Sequence, residues 1–129
     1  MGALTNEGEV AGLKYLTGQT APAITALYLA LETAAGTDSD PGDEVTGGSY
    51  ARQLVAFAAP ASGEPPSTVA NSDPVEFADL PACTVVSAAL YSQATGGTRY
   101  WYTTLTSPRV INAGDSFTIN AGDLVLTLD

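Results

Sequence analysis

One short unit constrains this chain more than any other feature. Ile-Asn-Ala-Gly-Asp occurs at 111–115 and again at 119–123, eight residues later. Asn and Gly adopt turn conformations that other residues resist, and Asp bonds the amides of its neighbours. Each copy ends one apolar stretch and starts another. Phe117 and Ile119 follow the first copy; Leu124, Leu126 and Leu128 follow the second. The repeat therefore predicts two tight turns joining three short strands.

The same rhythm extends upstream. Segments 83–92 and 98–106 read as strands, separated by Gln93-Ala94-Thr95-Gly96-Gly97, a glycine-containing hairpin loop. Leu27, Leu29 and Leu31 alternate with Tyr28 and Ala30, the period of a half-buried strand. Further strands are expected at 49–58 and at 75–77, the latter between Pro74 and Pro81. A long acidic loop fills 36–48, and a second loop fills 60–66, where Pro65-Pro66 favours extended backbone. A helical period occurs at 5–17, where Val10, Leu13 and Leu16 follow Thr5, a candidate N-cap. Glu7 and Glu9 fall in the first turn, where negative charge suits the helix dipole, and Gly18 ends the segment. Gly8 and Gly12 weaken this helix by up to about 1 kcal/mol each, so it is expected to be ordered by packing on something.

The expected fold is mainly β: an antiparallel β-sandwich or barrel of about 6–8 short strands with a short N-terminal helix or arm. One domain is expected over 1–129, with 1–20 as the helical arm and 21–129 as the β body. Uncharged sheet edges in such a body call for cover by neighbouring copies or a partner.

Composition then removes most chemistries. The chain has no His, one Cys, 4 Lys+Arg and 14 Asp+Glu, for a formal charge of −10. Without His there is no Ser-His-Asp or Cys-His nucleophile system. Without His and with one Cys there is no zinc finger, haem or iron–sulfur site. One Cys forms no intrachain disulfide, so Cys83 is expected to be a small buried hydrophobe. Four cations make no phosphate-binding stripe, so no direct nucleic-acid binding is expected. No apolar run approaches the ~20 residues that span a bilayer, and no basic-then-apolar signal pattern opens the chain. No catalytic residue, metal or cofactor is therefore assigned. Charged residues are 14% of the chain, against roughly 25% in typical domains. Ala, Thr, Gly, Ser and Pro make up more than half of it.

Some features still invite chemistry. Asp38-Ser39-Asp40-Pro41-Gly42-Asp43-Glu44 offers clustered oxygens for calcium. It fails the EF-hand pattern, because Asp43 takes the invariant glycine position and Ser49 that of the bidentate Glu. A solvated, turn-rich loop is the expectation. Asp115 and Asp123 invite a reading as a glycosidase pair, but their identical turn contexts explain both. Tyr100-Trp101-Tyr102 is the densest aromatic cluster, suited to stacking on sugars or anchoring an interface. On a strand Tyr100 and Tyr102 face one way and Trp101 the other, so one side at least is expected in the core. Arg52, Arg99 and Arg109 are each expected to meet a carboxylate, within the chain or across an interface. The candidate interface residues are Tyr50, Arg52, Tyr100, Trp101, Tyr102 and Arg109. Lys14 is expected in solvent.

Five segments in this order resemble a family of small bacteriophage virion proteins, usually labelled tail fibre protein. They are Leu4-Thr5-Asn6 opening a helix, Tyr28-Leu29-Ala30-Leu31 followed by Asp40-Pro41-Gly42, and 44–53 running through Gly47-Gly48 into Tyr50-Ala51-Arg52. Then come Ala88-Ala89-Leu90-Tyr91 with the Ala94-Thr95-Gly96-Gly97 turn, and 105–110 running through Gly114-Asp115 to the terminal strand. Members of the family often carry Trp-Gly and a His where this chain has 83–87.

The resemblance implies a non-enzymatic virion structural protein. Similar small β-rich proteins serve as capsid decoration (cement) proteins, head fibres or tail-associated proteins. The implied partners are the major capsid protein or other virion proteins, together with self-association, for instance as a trimer. Taken as a whole protein, 129 residues is short for a fibre shaft and carries no heptad or collagen-like repeat. That places the expected site on the outside of the assembled head. The alternative is a tail fibre or tail accessory protein with a receptor- or glycan-binding role. Synthesis is expected in the host cytoplasm.

Overall fold

Alternation in the Leu27 segment builds the centre of the sheet. The computed structural model describes residues 3–60 and 67–128. Its elements in chain order are β1 (Ala3–Leu4), α1 (Asn6–Leu16), β2 (Leu27–Ala34), β3 (Asp43–Glu44), β4 (Gln53–Val55), β5 (Ser67–Ala70), β6 (Val75–Phe77), β7 (Cys83–Tyr91), β8 (Arg99–Ile111), β9 (Phe117–Ile119) and β10 (Val125–Leu128). One sheet runs in the order β1-β8-β7-β2-β3, with β4 also on β2; β10-β5 and β6-β9 form two-stranded ribbons. All these pairings are antiparallel.

Register divides the side chains between two faces. Leu29 stands opposite Leu90 and Leu31 opposite Ala88, while Ala30 meets Ala89 and Glu32 meets Ser87. The Leu29 face joins Phe77, Phe117 and Leu126 from the ribbons, and Leu124 just before β10, in one core. Each such large side chain contributes roughly 1.5–3 kcal/mol by leaving water. Phe77 lies at its centre, stacked on Tyr50 and tilted against Phe117. Ala30 and Glu32 are buried too, because the 36–42 loop folds over the opposite face.

The mainly β fold with a short N-terminal helix is as expected. Ten strands are described rather than about 6–8, because β1 and β3 are two-residue pairings and β5 lacks a strong alternating pattern. The strand expected at 49–58 shrinks to β4. Gly47 and Gly48 turn the backbone with φ of 102° and 55°, and Tyr50 and Arg52 are drawn away by side-chain bonds. The strand expected at 98–106 runs on to Ile111 through an irregular register opposite β7. Both repeat turns form, with Asp115 N–H donating to the Asn112 carbonyl and Asp123 N–H to that of Asn120. Gly114 and Gly122 take φ of 88° and 85°, conformations that only glycine adopts readily. The expected 60–66 loop lies outside the described residues apart from Pro60.

The helix buries its smallest side chains. Thr5 caps it, its hydroxyl accepting from Gly8 N–H at 3.1 Å and donating to the Arg99 carbonyl at 2.7 Å. Gly8 and Ala11 are the buried positions, and β1 ties the segment to β8 through Leu4 and Trp101. A Cβ on Gly8 would lie 2.4 Å from the Tyr100 carbonyl oxygen, whereas one on Gly12 meets nothing within 4 Å. Gly8→Ala should therefore destabilise by about 2 kcal/mol through overpacking. Gly12→Ala should stabilise by up to about 1 kcal/mol through helix propensity. Paired urea melts check this; equal effects of the two substitutions would refute the packing described.

Candidate assembly surface

Two of the six candidate interface residues are joined through Glu44. Arg52 Nε donates to Glu44 Oε2 at 2.9 Å and Nη2 to Oε1 at 3.0 Å. Its Nη1 reaches the carbonyls of Gln93 at 3.0 Å and Gly96 at 2.7 Å, and the guanidinium lies 3.7 Å from the Tyr91 ring centroid. Tyr50 Oη donates to Glu44 Oε2 at 2.6 Å and accepts from Leu31 N–H at 3.0 Å. Burial alone would raise the Glu44 pKa, but the Arg52 and Tyr50 hydrogen bonds and the Arg52 charge outweigh it and hold it below 4.5. Burial, followed by the bond to Glu44, pushes the Tyr50 phenol up. The cluster clamps β3, the start of β4 and the glycine hairpin together.

The acidic loop is anchored, which corrects its reading as a simply solvated loop. Arg99 Nη2 donates to the carbonyls of Thr37 and Asp40. Tyr102 Oη donates to Asp38, Asn6 N–H donates to the Asp38 carbonyl, and Gly42 N–H donates to Glu32 Oε2 at 3.2 Å. Asp38, Asp40 and Asp43 are exposed, with the Asp38 carboxylate engaged by Tyr102. Among the described residues no group of three or more acidic or cysteine side chains is placed to hold a metal ion.

The remaining candidates do not converge. Tyr100 is buried at 5% exposure. Trp101, half-buried, packs on the core side, and Tyr102, on the opposite face, is bound to Asp38. The three rings thus form no common platform. Arg109 lies over the Phe117 ring at 5.0 Å, a cation–π contact. Of the three arginines, Arg52 alone forms an ion pair among the described residues. Cys83 is half-buried, and burial raises its thiol pKa.

Four of the eight exposed large hydrophobic residues among those described lie on α1, with Leu13 64%, Leu16 80%, Tyr15 77% and Val10 50% exposed. The 3.6-residue pattern noted in the sequence thus marks the outward face, because close approach to Tyr100 admits only Gly8 and Ala11 inward. Beside it a groove of about 500 Å³ runs between α1, Pro22, Ile24, Trp101 and Leu128. Among the described residues no helix is long and apolar enough to cross a membrane.

No local sequence pattern marks Asn71 as a key position. It is 2% exposed and makes four side-chain hydrogen bonds, three to the second repeat turn and its flank and one to the Asp73 carbonyl. The adjoining Ser72-Asp73-Pro74 is a turn signal, but its partners lie about fifty positions onward.

A family model described as Podophage GP4 fiber I protein gp80 matches residues 3–127. No curated protein matches the chain.

Proposed function

The chain belongs to the Podophage GP4 fiber I protein gp80 family, and from that premise we propose that it is a non-enzymatic structural component of a podophage virion, built into a fibre. The observation that carries this is the extent of the match, which takes in every helix and strand as far as Thr127. The polar side chains support it. Glu44, Arg52, Tyr50, Arg99 and Asn71 are engaged in holding loops, the work of a scaffold.

The family description favours a fibre over the capsid decoration expected from chain length. The partners are further copies and other virion proteins, with the major capsid protein among them if the fibre is rooted on the head. A charge of −10 keeps the chain soluble in the host cytoplasm before assembly. It also requires docking through apolar and hydrogen-bonded contacts, or on a basic patch. Reconstruction of the intact particle tests the proposal: density for this chain is expected in a fibre. Density on the outer capsid lattice, in copies set by its symmetry, would replace it with decoration. Absence from the particle would end both readings.

A further inference from the structure

We propose that the Asp40–Pro41 peptide bond is a self-cleavage site, hydrolysed through the Asp40 carboxylate while Arg99 and Thr37 hold its carbonyl oxygen. The tripeptide Ser-Asp-Pro occurs twice, at 39–41 and at 72–74. An Asp–Pro bond carries its own nucleophile, a carboxylate tethered within reach of the carbonyl carbon of the same residue. Proline has no N–H, so the competing closure, attack of the next backbone amide on the side chain, does not occur. Its nitrogen leaves as a secondary amine once protonated.

The fold treats these two bonds differently. The Asp40 carbonyl oxygen accepts from Thr37 N–H and from Arg99 Nη2, each at 2.8 Å. Arg99 is 8% exposed and makes no ion pair among the described residues. Its Nη1 is buried without a hydrogen-bond partner. No carboxylate therefore neutralises the charge set against that oxygen. Paired donors, one of them cationic and shielded from water, are what stabilises a developing oxyanion. The Asp73 carbonyl oxygen accepts instead from the neutral Asn71 Nδ2, at 2.8 Å. Asp40 and Asp73 are both exposed. Neither carboxylate has a hydrogen bond or ion pair among the described residues. Both nucleophiles are free, and one of the two carbonyls faces a buried cation.

An Asp40 carboxylate oxygen bonds to the main-chain carbonyl carbon, and the negative charge moves onto the oxygen held by Arg99 and Thr37. The Pro41 nitrogen takes a proton from solvent and the C–N bond breaks. Asp40 is left as a cyclic anhydride, which water opens to two carboxyl groups, and Pro41 becomes a new amino terminus. The net change is the addition of water across the peptide bond, and it should quicken in mild acid. β2 stays paired with β4 and β7, so the nicked chain holds together. The loop over Glu32, tied there by Gly42 N–H, gains free ends.

Mass spectrometry of the full chain, incubated at about pH 5 and denatured before injection, reads cuts at both bonds in the same molecules. Circular dichroism confirms that the incubated protein is folded. The 40–41 bond should be cut roughly tenfold or more faster than the 73–74 bond, and faster than in the chain unfolded by guanidinium chloride at the same pH. In that unfolded chain the two identical tripeptides should be cut at similar rates. Asp40→Ala, at an exposed side chain, should abolish the first cut and spare the second. Arg99→Met, in protein that keeps the native circular dichroism, should lower the ratio of the two rates about tenfold or more. If that variant does not fold, the comparison of folded with unfolded wild-type chain decides. A ratio near one in the folded protein overturns the proposal. So does a 40–41 bond cut no faster folded than unfolded, cutting that survives Asp40→Ala, or a ratio indifferent to Arg99→Met.

Discussion

Asn71→Ala should remove about 3 kcal/mol of stability, among the largest single losses expected in this fold. The side chain is 2% exposed and every polar atom on it is used. Nδ2 donates to the carbonyls of Asp73 at 2.8 Å and Asn120 at 3.1 Å. Oδ1 accepts from Gly122 N–H at 3.1 Å and Leu124 N–H at 2.9 Å. Gly122 N–H keeps a second acceptor in the Asn71 carbonyl at 2.9 Å. The amide of buried Leu124 has its acceptor in Oδ1, so truncation orphans a donor beside the core. An orphaned buried group costs more than an average hydrogen bond contributes.

Thermal melting should show a fall of about 10 °C for the loss. Asn71→Asp sharpens the test, since its shape is nearly unchanged and it still accepts from Leu124. It sets a carboxylate against the Asp73 and Asn120 carbonyls, so it should be as damaging as Ala at neutral pH. It should recover partly in acid, where the protonated group donates to one of them. If Asp is tolerated at pH 7, the Nδ2 bonds are not what holds the turn.

The case of Asn71 shows where local reading stops. The Asn-Ala-Gly-Asp repeat was legible because turn chemistry is local: glycine at positive φ, with Asn and Asp spaced to close the turn. The alternation at Leu27–Leu31 and the hairpin at 93–97 were legible for the same reason. What each turn docks against was not: Leu80, which donates to the Asp115 carbonyl and accepts from Gly114 N–H, and Asn71 lie tens of residues from the turns they receive. Nor was the polarity of α1. Periodicity found the stripe Val10-Leu13-Leu16, but its direction was set by the β8 backbone, whose approach admits glycine and excludes leucine. Arg99 illustrates the same limit. A cation in an acidic chain was expected to find a carboxylate, yet Arg99 binds the backbone carbonyls of Thr37 and Asp40, which no local pattern in the sequence marks as its partners.

Arg52→Met should cost about 3 kcal/mol at pH 7, and that cost should shrink in acid. The guanidinium side chain is 9% exposed and its partner Glu44 29%. Substitution removes a bidentate pair and two bonds to the glycine hairpin, and leaves a half-buried carboxylate held by Tyr50 alone. Methionine keeps the packing over Tyr91, so the loss reports polar contacts rather than a cavity. The sign of the pH effect follows from Glu44. Burial raises its pKa, but Arg52, with Tyr50, holds the folded value below the ordinary 4.5. Its contribution is therefore complete above 4.5 and is lost as pH falls through the folded value.

Without Arg52 the opposing effect of burial dominates, so the variant loses little of this kind on acidification. Other carboxylates titrate alike in both proteins and cancel in the difference. Denaturant melts of both proteins between pH 7 and about pH 3 should give curves that converge. A difference that stays constant across that range would show that Arg52 acts through its hairpin bonds and not through Glu44. A difference under about 1 kcal/mol at pH 7 would show that solvent screens the whole cluster.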